Sequence, residues 1–330
     1  MAKIQAPGAS SQSRTIRCSS GVLEPFAGEV DRLLSASLAD NTVKLYNQAV
    51  STFDAFRTQY NFQTSWPPNI NVLVNFIAFL SSEGYSFSTA KSYLSGISFY
   101  IKLNGWSDPS EAFVVKKMLK GFQRINPTKD SRAPITLQML QAFPMALKNV
   151  TSSAYEALLF STAFSVAFFG FLRIGEMIAT GKSGDNSRII QISDVVVYDE
   201  NVKITLRFSK TDQYGESATL VFYPSQQKHI CPVSLIKKFL QVRPKAQGPL
   251  FCHFDGQPIT RYQFSSILNK VVKFTGSKLS SRIKSHSFRI GAATLASSQN
   301  VSDSDIKQMG RWSEQSASFS RYIRLDKLKT

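Results

Sequence analysis

The sequence predicts a mainly α fold with one small antiparallel sheet, arranged as a helical N-terminal domain and a larger second domain. Three observations carry this. Apolar residues recur at helical spacing through most of the chain, between residues that cap and stop helices. Three consecutive segments between residues 189 and 223 are instead rich in β-branched and aromatic side chains. A polar stretch from Asn126 to Pro134 separates the first helical region from the rest of the chain.

Residues 1–20, rich in Ser, Gln and Ala without periodicity, read as a disordered leader. From 21 to 125 the pattern is helical. Asn41 is placed to cap a helix through Val43, Tyr46, Val50 and Phe53. A second helix through Val72, Phe76, Phe79 and Leu80 stops at Gly84. Ser88 caps a third, with Tyr93, Leu94, Ile97 and Ile101, stopped by Asn104-Gly105. A fourth starts at Asp108-Pro109-Ser110-Glu111, which supplies a cap, a proline in the first turn and an early acid, and continues through Met118 and Phe122. Residues 126–134 form the linker, and 135–330 the second domain. There Thr136 caps a helix, and a long apolar helix runs from about Ser153. Ile189–Val197, Val202–Phe208 and Ala218–Tyr223 then make a three-stranded meander. Helices resume at Pro232 and continue to the end, interrupted near Gly256, Gly276 and Gly310.

Composition narrows the function. The chain has 330 residues, 43% of them hydrophobic, which is enough to fill a core in each of two domains. Lys and Arg number 39 against 22 Asp and Glu, a net charge of +17. Of this, +13 falls in residues 131–330. Such an excess, scattered among apolar residues on a folded surface, points to a polyanionic partner rather than a small neutral substrate. Three cysteines, Cys18, Cys231 and Cys252, make no disulfide framework and suit a reducing, intracellular compartment. The N-terminus lacks the apolar segment of a signal peptide, and the uncharged run Ala157–Leu172 is too short to span a membrane.

Four clusters in the second domain carry candidate chemistry. Arg173 and Glu176 close the most apolar helix, where a desolvated arginine requires an anion; alone they read as a structural ion pair. Lys210 lies at the mouth of the loop between the second and third strands. His286 and Arg289 stand three apart, on one helical face. Gly310-Arg311-Trp312 precedes a helix that presents Tyr322 between Arg321 and Arg324.

In this order and spacing, Arg-x-x-Glu, hairpin Lys, His-x-x-Arg, Gly-x-Trp and Tyr resemble the active site of the tyrosine recombinase (integrase) superfamily. The resemblance covers roughly residues 25–325. The segments around Gly310-Arg311-Trp312 and Ser320-Arg321-Tyr322-Ile323-Arg324 are similar to mobile-element recombinases of the Crypton and DIRS/Ngaro kind. The interval from Trp312 to Tyr322 is a residue or two longer than is usual in the superfamily. Tyr262, the rival tyrosine, lacks the tryptophan and arginine setting.

The resemblance implies a core-binding (SAM-like) helical domain and an α+β catalytic domain that together clamp duplex DNA, with phosphate contacts supplying salt-dependent affinity. Tyr322 is then the nucleophile, forming a 3′-phosphotyrosyl intermediate that conserves the bond energy without a cofactor. Arg173 and Arg289 clamp the phosphate oxygens as charge builds there. His286 assists proton transfer, and Lys210 protonates the leaving 5′ oxygen. Trp312 positions and packs, since an indole donates one hydrogen bond but shuttles no proton. Glu176 supports Arg173. No metal or other cofactor is implied, and a tetramer on two DNA sites is the family expectation. The resemblance places the protein in a nucleus if the host is eukaryotic, otherwise in the cytoplasm or nucleoid.

Three other readings are kept. A domesticated, non-cutting DNA-binding protein and a DNA-relaxing type IB topoisomerase share the fold or the constellation. His229, Cys231, Cys252 and His253 offer zinc-type ligands, but their spacing matches no zinc-finger pattern, and adjacent Cys-His does not easily chelate one ion.

Overall fold

The computed structural model describes residues 25–127, 130–181, 186–208, 217–316 and 319–327. The expected leader (1–20) and Lys210 lie outside the described residues. The chain divides into two compact units, one ending at Asp130 and the other beginning at Ser131.

The first unit is all helical: α1 (Ala27–Ala36), α2 (Asp40–Gln59), α3 (Ile70–Ser82), α4 (Phe87–Leu103) and α5 (Phe113–Ile125). Its core combines the aromatic rings of Phe53, Phe56, Phe76, Tyr93 and Phe122 with aliphatic side chains such as Leu73, Leu80 and Ile97. The caps differ in detail from the sequence reading. Helix α2 begins at Asp40 behind Ala39, so Asn41 lies inside it. Ser86, not Ser88, caps α4 by accepting from the Thr89 N–H at 3.1 Å. The fourth predicted helix is two elements. Pro109–Glu111 form a single 3₁₀ turn capped by Asp108, and α5 restarts at Phe113 because Ala112 is extended (φ −60°, ψ 144°).

The second unit contains α6 (Leu137–Val150), α7 (Ala154–Phe169), a one-turn α8 (Ile174–Met177), then β1 (Val195–Val197), β2 (Val202–Leu206) and β3 (Ala218–Phe222). It ends with α9 (Pro232–Val242), α10 (Arg261–Phe274), α11 (Ser287–Ser298) and α12 (Asp303–Gly310). Helix α7 is the spine. It is buried on nearly every face and flanked by α6, α9 and α11. Each of its buried Phe and Leu side chains contributes about 1.5–3 kcal/mol. Its polar residues stay inside by bonding to backbone: Thr162 to the Leu158 carbonyl (2.7 Å) and Ser165 to the Ile230 carbonyl (2.6 Å). The strands pair antiparallel in the order β1-β2-β3, with Val195 opposite Ile204 and Val202 opposite Phe222. Val202, Ile204, Leu206 and Phe222 face the core, giving the alternation of a one-sided sheet.

The chain is held closely where the second unit begins. Ala133 and Ile135 are fully buried, and their N–H groups donate to the carbonyls of Arg282 and Ser287, both at 3.0 Å. Gly291 on α11 permits this approach, since a Cβ there would stand 2.0 Å from the Ile135 carbonyl oxygen.

Candidate active site

Three turns of the second unit converge on a small cluster formed by Phe171, Ala292, Ala293, Ala296, Ile306, Trp312 and Phe319, with Tyr322 and Ile323 packed against it. The first turn comes after α7. Sequence reading placed Arg173 at the end of that helix; instead α7 stops at Gly170, and Phe171 takes a left-handed conformation (φ 50°). The chain therefore reverses, and Arg173 becomes the residue that precedes α8. Glu176, 5% exposed, reaches back to it: one carboxylate oxygen accepts from the Arg173 guanidinium (2.8 Å), the other from its backbone N–H (2.9 Å).

The second turn is the start of α11. His286 holds the cap position, half-buried, and its carbonyl accepts from the Ile290 N–H. Arg289, three residues on, is fully buried. Its two Nη atoms donate to the carbonyls of Phe171 and Gly310, leaving three of its five N–H donors uncommitted among the described residues. Burial is the main reason its guanidinium lies well below the usual arginine pKa range, and repulsion from Arg173 and Arg311 adds to it.

The third turn comes after α12. Arg311 is left-handed (φ 55°, ψ 44°), which folds the Trp312 ring back over Gly310. The ring covers Arg289, whose guanidinium carbon lies 4.0 Å from its centroid. Tyr322 packs against the same indole at 5.0 Å between centroids, and 5.6 Å from the Arg289 guanidinium. Here too the local structure differs from expectation. Tyr322 ends a 3₁₀ turn, Phe319–Tyr322, rather than riding an α-helix. The long interval from Trp312 still returns the ring to the tryptophan. Of its flanking arginines, Arg321 is exposed, whereas Arg324 turns inward to donate to the Arg132 carbonyl at 2.6 Å. Tyr262 is 81% exposed at the start of α10, and its ring makes no contact with Trp312.

Arg173, Glu176, Arg289, Trp312 and Tyr322 are thus brought into one cluster, and His286 stands three residues from Arg289. Sequence reading assigned no role to Arg311, which the structure adds. Its guanidinium donates to the carbonyls of Gly170 (3.2 Å) and Phe171 (3.3 Å) and to Glu176 (3.0 Å). Its side chain is 12% exposed, and burial lowers its pKa. The signal was its place inside Gly310-Arg311-Trp312, a motif read for its tryptophan alone.

Two guanidiniums therefore share one carboxylate, and a third, that of Arg289, is held nearby by backbone carbonyls. Among the described residues this leaves a net excess of two positive charges in a desolvated setting beside a phenol. Such a site favours an anion, and a tetrahedral or pentacoordinate phosphate offers oxygens enough for several guanidiniums. The zinc alternative finds no support in geometry. His253 pairs with Glu156 at 2.7 Å, the Cys231 sulfur accepts from the Ser225 N–H, and no group of three or more metal-ligating side chains gathers among the described residues. No described helix is long and apolar enough to cross a membrane.

An integrase/recombinase XerD homolog of Selenomonas ruminantium is 25% identical over 304 residues, covering 87% of this chain and 83% of that protein. The structure of XerH site-specific recombinase bound to a palindromic difH substrate superposes with a TM-score of 0.62 at 16% identity, covering 92% of this chain and 82% of XerH. A lambda integrase dimer bound to a COC′ core site gives 0.61 at 14% identity, covering 91% and 94%. These two structures share the mainly helical fold with its small sheet. The phage integrase family model matches residues 138–329, which hold the three turns and the tyrosine, and the chain belongs to the phage integrase family of tyrosine recombinases.

Proposed function

We propose that this protein is a site-specific DNA recombinase that cuts and rejoins duplex DNA through a 3′-phosphotyrosyl bond on Tyr322. The observation that carries the reading is the phenol of Tyr322 beside Arg289, in a cluster where Arg173 and Arg311 share the Glu176 carboxylate. The Tyr322 oxygen attacks the scissile phosphorus, and the bond from phosphorus to the 5′ oxygen breaks. Arg173 and Arg289 hold the equatorial oxygens while negative charge accumulates on them. His286 assists proton movement at the phosphate. Lys210 delivers a proton to the departing 5′ oxygen. Because the phosphotyrosyl ester retains the bond energy, a 5′ hydroxyl from a second strand reverses the reaction and exchanges the strands. Arginines take the part a divalent ion plays elsewhere, so the reaction proceeds without a metal.

The finer reading is that the protein serves a mobile element of the Crypton or DIRS/Ngaro kind, acts as a tetramer on two DNA sites, and works in a nucleus. The segments around Gly310-Arg311-Trp312 and Tyr322 support the element type. The +13 charge of residues 131–330 and the DNA-bound state of XerH and lambda integrase support duplex DNA as the partner.

The test is covalent trapping. The protein, in EDTA, is mixed with a pool of nicked duplexes that lose the 5′ fragment after cleavage, and adducts that survive SDS are recovered and sequenced. Adducts that disappear in Tyr322→Phe establish the nucleophile, and their sequences report the site preference. Adducts that persist in that variant refute the assignment. Tight binding without adducts favours a non-cutting DNA-binding protein. Relaxation of supercoiled DNA without sequence preference favours the topoisomerase reading.

A further inference from the structure

We propose that Arg311 is a positioning residue for DNA cleavage, keeping Arg173 aimed and only partly neutralised by sharing the Glu176 carboxylate with it. The proposal rests on the phosphotyrosyl reading above and deepens it. Four observations lead to it.

The backbone at Arg311 is left-handed (φ 55°, ψ 44°) at the C-cap of α12, a place that favours glycine. A long side chain in that conformation carries a standing cost and persists where its surroundings over-determine it. The surroundings include three acceptors among the described residues. The guanidinium meets Gly170 and Phe171 carbonyls on the turn that leads into Arg173, and the Glu176 carboxylate just after it. Arg311 thus fastens the turn carrying Arg173 to the turn carrying Trp312. The Phe171 carbonyl it shares is also an acceptor for Arg289, and Phe171 is itself left-handed (φ 50°).

Charge completes the argument. Arg173 binds one oxygen of Glu176 and Arg311 the other, at 2.8 and 3.0 Å. A carboxylate divided between two guanidiniums neutralises neither, so Arg173 keeps positive charge for a phosphate. Without Arg311 the carboxylate becomes the counterion of Arg173 alone, and the pair closes as an ordinary ion pair. Arg311 acts through Glu176 and Arg173, without a need to touch DNA itself.

The test is a double-mutant cycle on the duplex recovered by trapping. Arg311→Gly suits the left-handed backbone and removes the guanidinium; Arg311→Lys keeps the charge and loses the planar fork. Each is combined with Arg173→Lys. Adduct formation is followed in single turnover at saturating protein, DNA affinity is titrated at matched salt, and thermal unfolding checks the fold. Arg311→Gly is expected to slow adduct formation about tenfold or more with affinity within about twofold, and to cost less than about threefold when Arg173 is already lysine, because residues of one ion-pair network couple. Arg311→Lys is expected to fall between. The same loss factor in both backgrounds, a loss confined to affinity, or no loss overturns the proposal. If the glycine variant unfolds, the lysine variant carries the same cycle and the same criteria. A wild type that forms no Tyr322-dependent adduct overturns the phosphotyrosyl reading itself, an outcome distinct from an active wild type that is indifferent to Arg311.

Discussion

Replacing Gly310 with alanine adds one methyl group where the Trp312 ring already lies. A Cβ at residue 310 would stand 1.7, 2.1 and 2.6 Å from three carbons of the indole, against 3.4–4 Å for ordinary contact. The ring must therefore retreat by roughly 1.5 Å or more before its repulsion with the methyl group subsides. An indole is rigid and moves only as a whole. This one is 9% exposed and already touches Arg289, Phe319 and Tyr322. Overpacking of this kind costs about 1–3 kcal/mol. The displacement falls on the surface that supports Tyr322 and covers Arg289, and a misplacement of about 1 Å at reacting groups costs on the order of a hundredfold in rate. Gly310→Ala should accordingly remain folded with a lowered melting temperature. It should form the Tyr322 adduct roughly a hundredfold more slowly under single-turnover conditions. Wild-type adduct formation together with wild-type stability would refute the placement of Trp312 over Gly310, and with it the account of how Tyr322 is held.

Gly121 supplies the contrasting case. It lies inside α5 with nothing within 4 Å of a built Cβ, so Gly121→Ala should stabilise the first unit by about 0.5–1 kcal/mol in denaturant unfolding and leave cleavage unchanged. Glu176→Gln removes the carboxylate that Arg173 and Arg311 share and should cost about 3–5 kcal/mol. At equal ionic strength the loss should be smaller in sulfate than in chloride, and equal losses by calorimetry would contradict an anion-seeking site. Asp108 carries a pH prediction. Burial pushes its carboxyl up, but hydrogen bonds from Ser98, Ser110 and Lys102 outweigh that and hold it below the usual range. A lowered folded-state pKa contributes stability above the unfolded-state value and loses it as pH falls through the folded one. The stability gap between wild type and Asp108→Asn should thus be widest near neutral pH and narrow below about pH 4, as acid titrations of melting temperature would show.

What was legible in the sequence depended on how local its cause was. Thr136 caps its helix as read, accepting from the Met139 N–H, and the apolar helix starts at Ser153 as read, because a helix start is decided within one turn. The meander was legible because β-branched runs and their breaks are also local, although β1 starts only at Val195 and β2 and β3 end earlier than the residue pattern suggested. Boundaries set by competition were not legible. The cap position expected at Asn41 fell at Ala39, and Pro109 and Ala112 broke one expected helix into a 3₁₀ turn and α5. The burial of Ala133 and Ile135 depends on α11, more than 150 residues away, and on a glycine whose reason lies in that contact. Arg311 escaped for the same reason. Its partners include Gly170, Phe171 and Glu176, and no spacing rule connects residue 311 to them.

These long-range contacts also explain how so unfavourable a site exists. Two residues with side chains hold left-handed backbones, Phe171 and Arg311, and three guanidinium charges gather near a single carboxylate. Each feature destabilises the free protein. The cost is offset locally. Trp312, Phe319, Ile306 and the alanines of α11 bury a compact apolar floor, and backbone carbonyls receive guanidinium hydrogens that the carboxylate does not take. The carbonyls bear on orientation more than on charge, since they fix where each guanidinium points without neutralising it. A cleft lined with several acidic residues would be more stable and would bind DNA poorly. The single shared carboxylate is the arrangement that aligns two arginines while leaving their charge for the phosphate. By this reasoning substitutions that add a carboxylate near Arg173 should stabilise the protein and slow cleavage together.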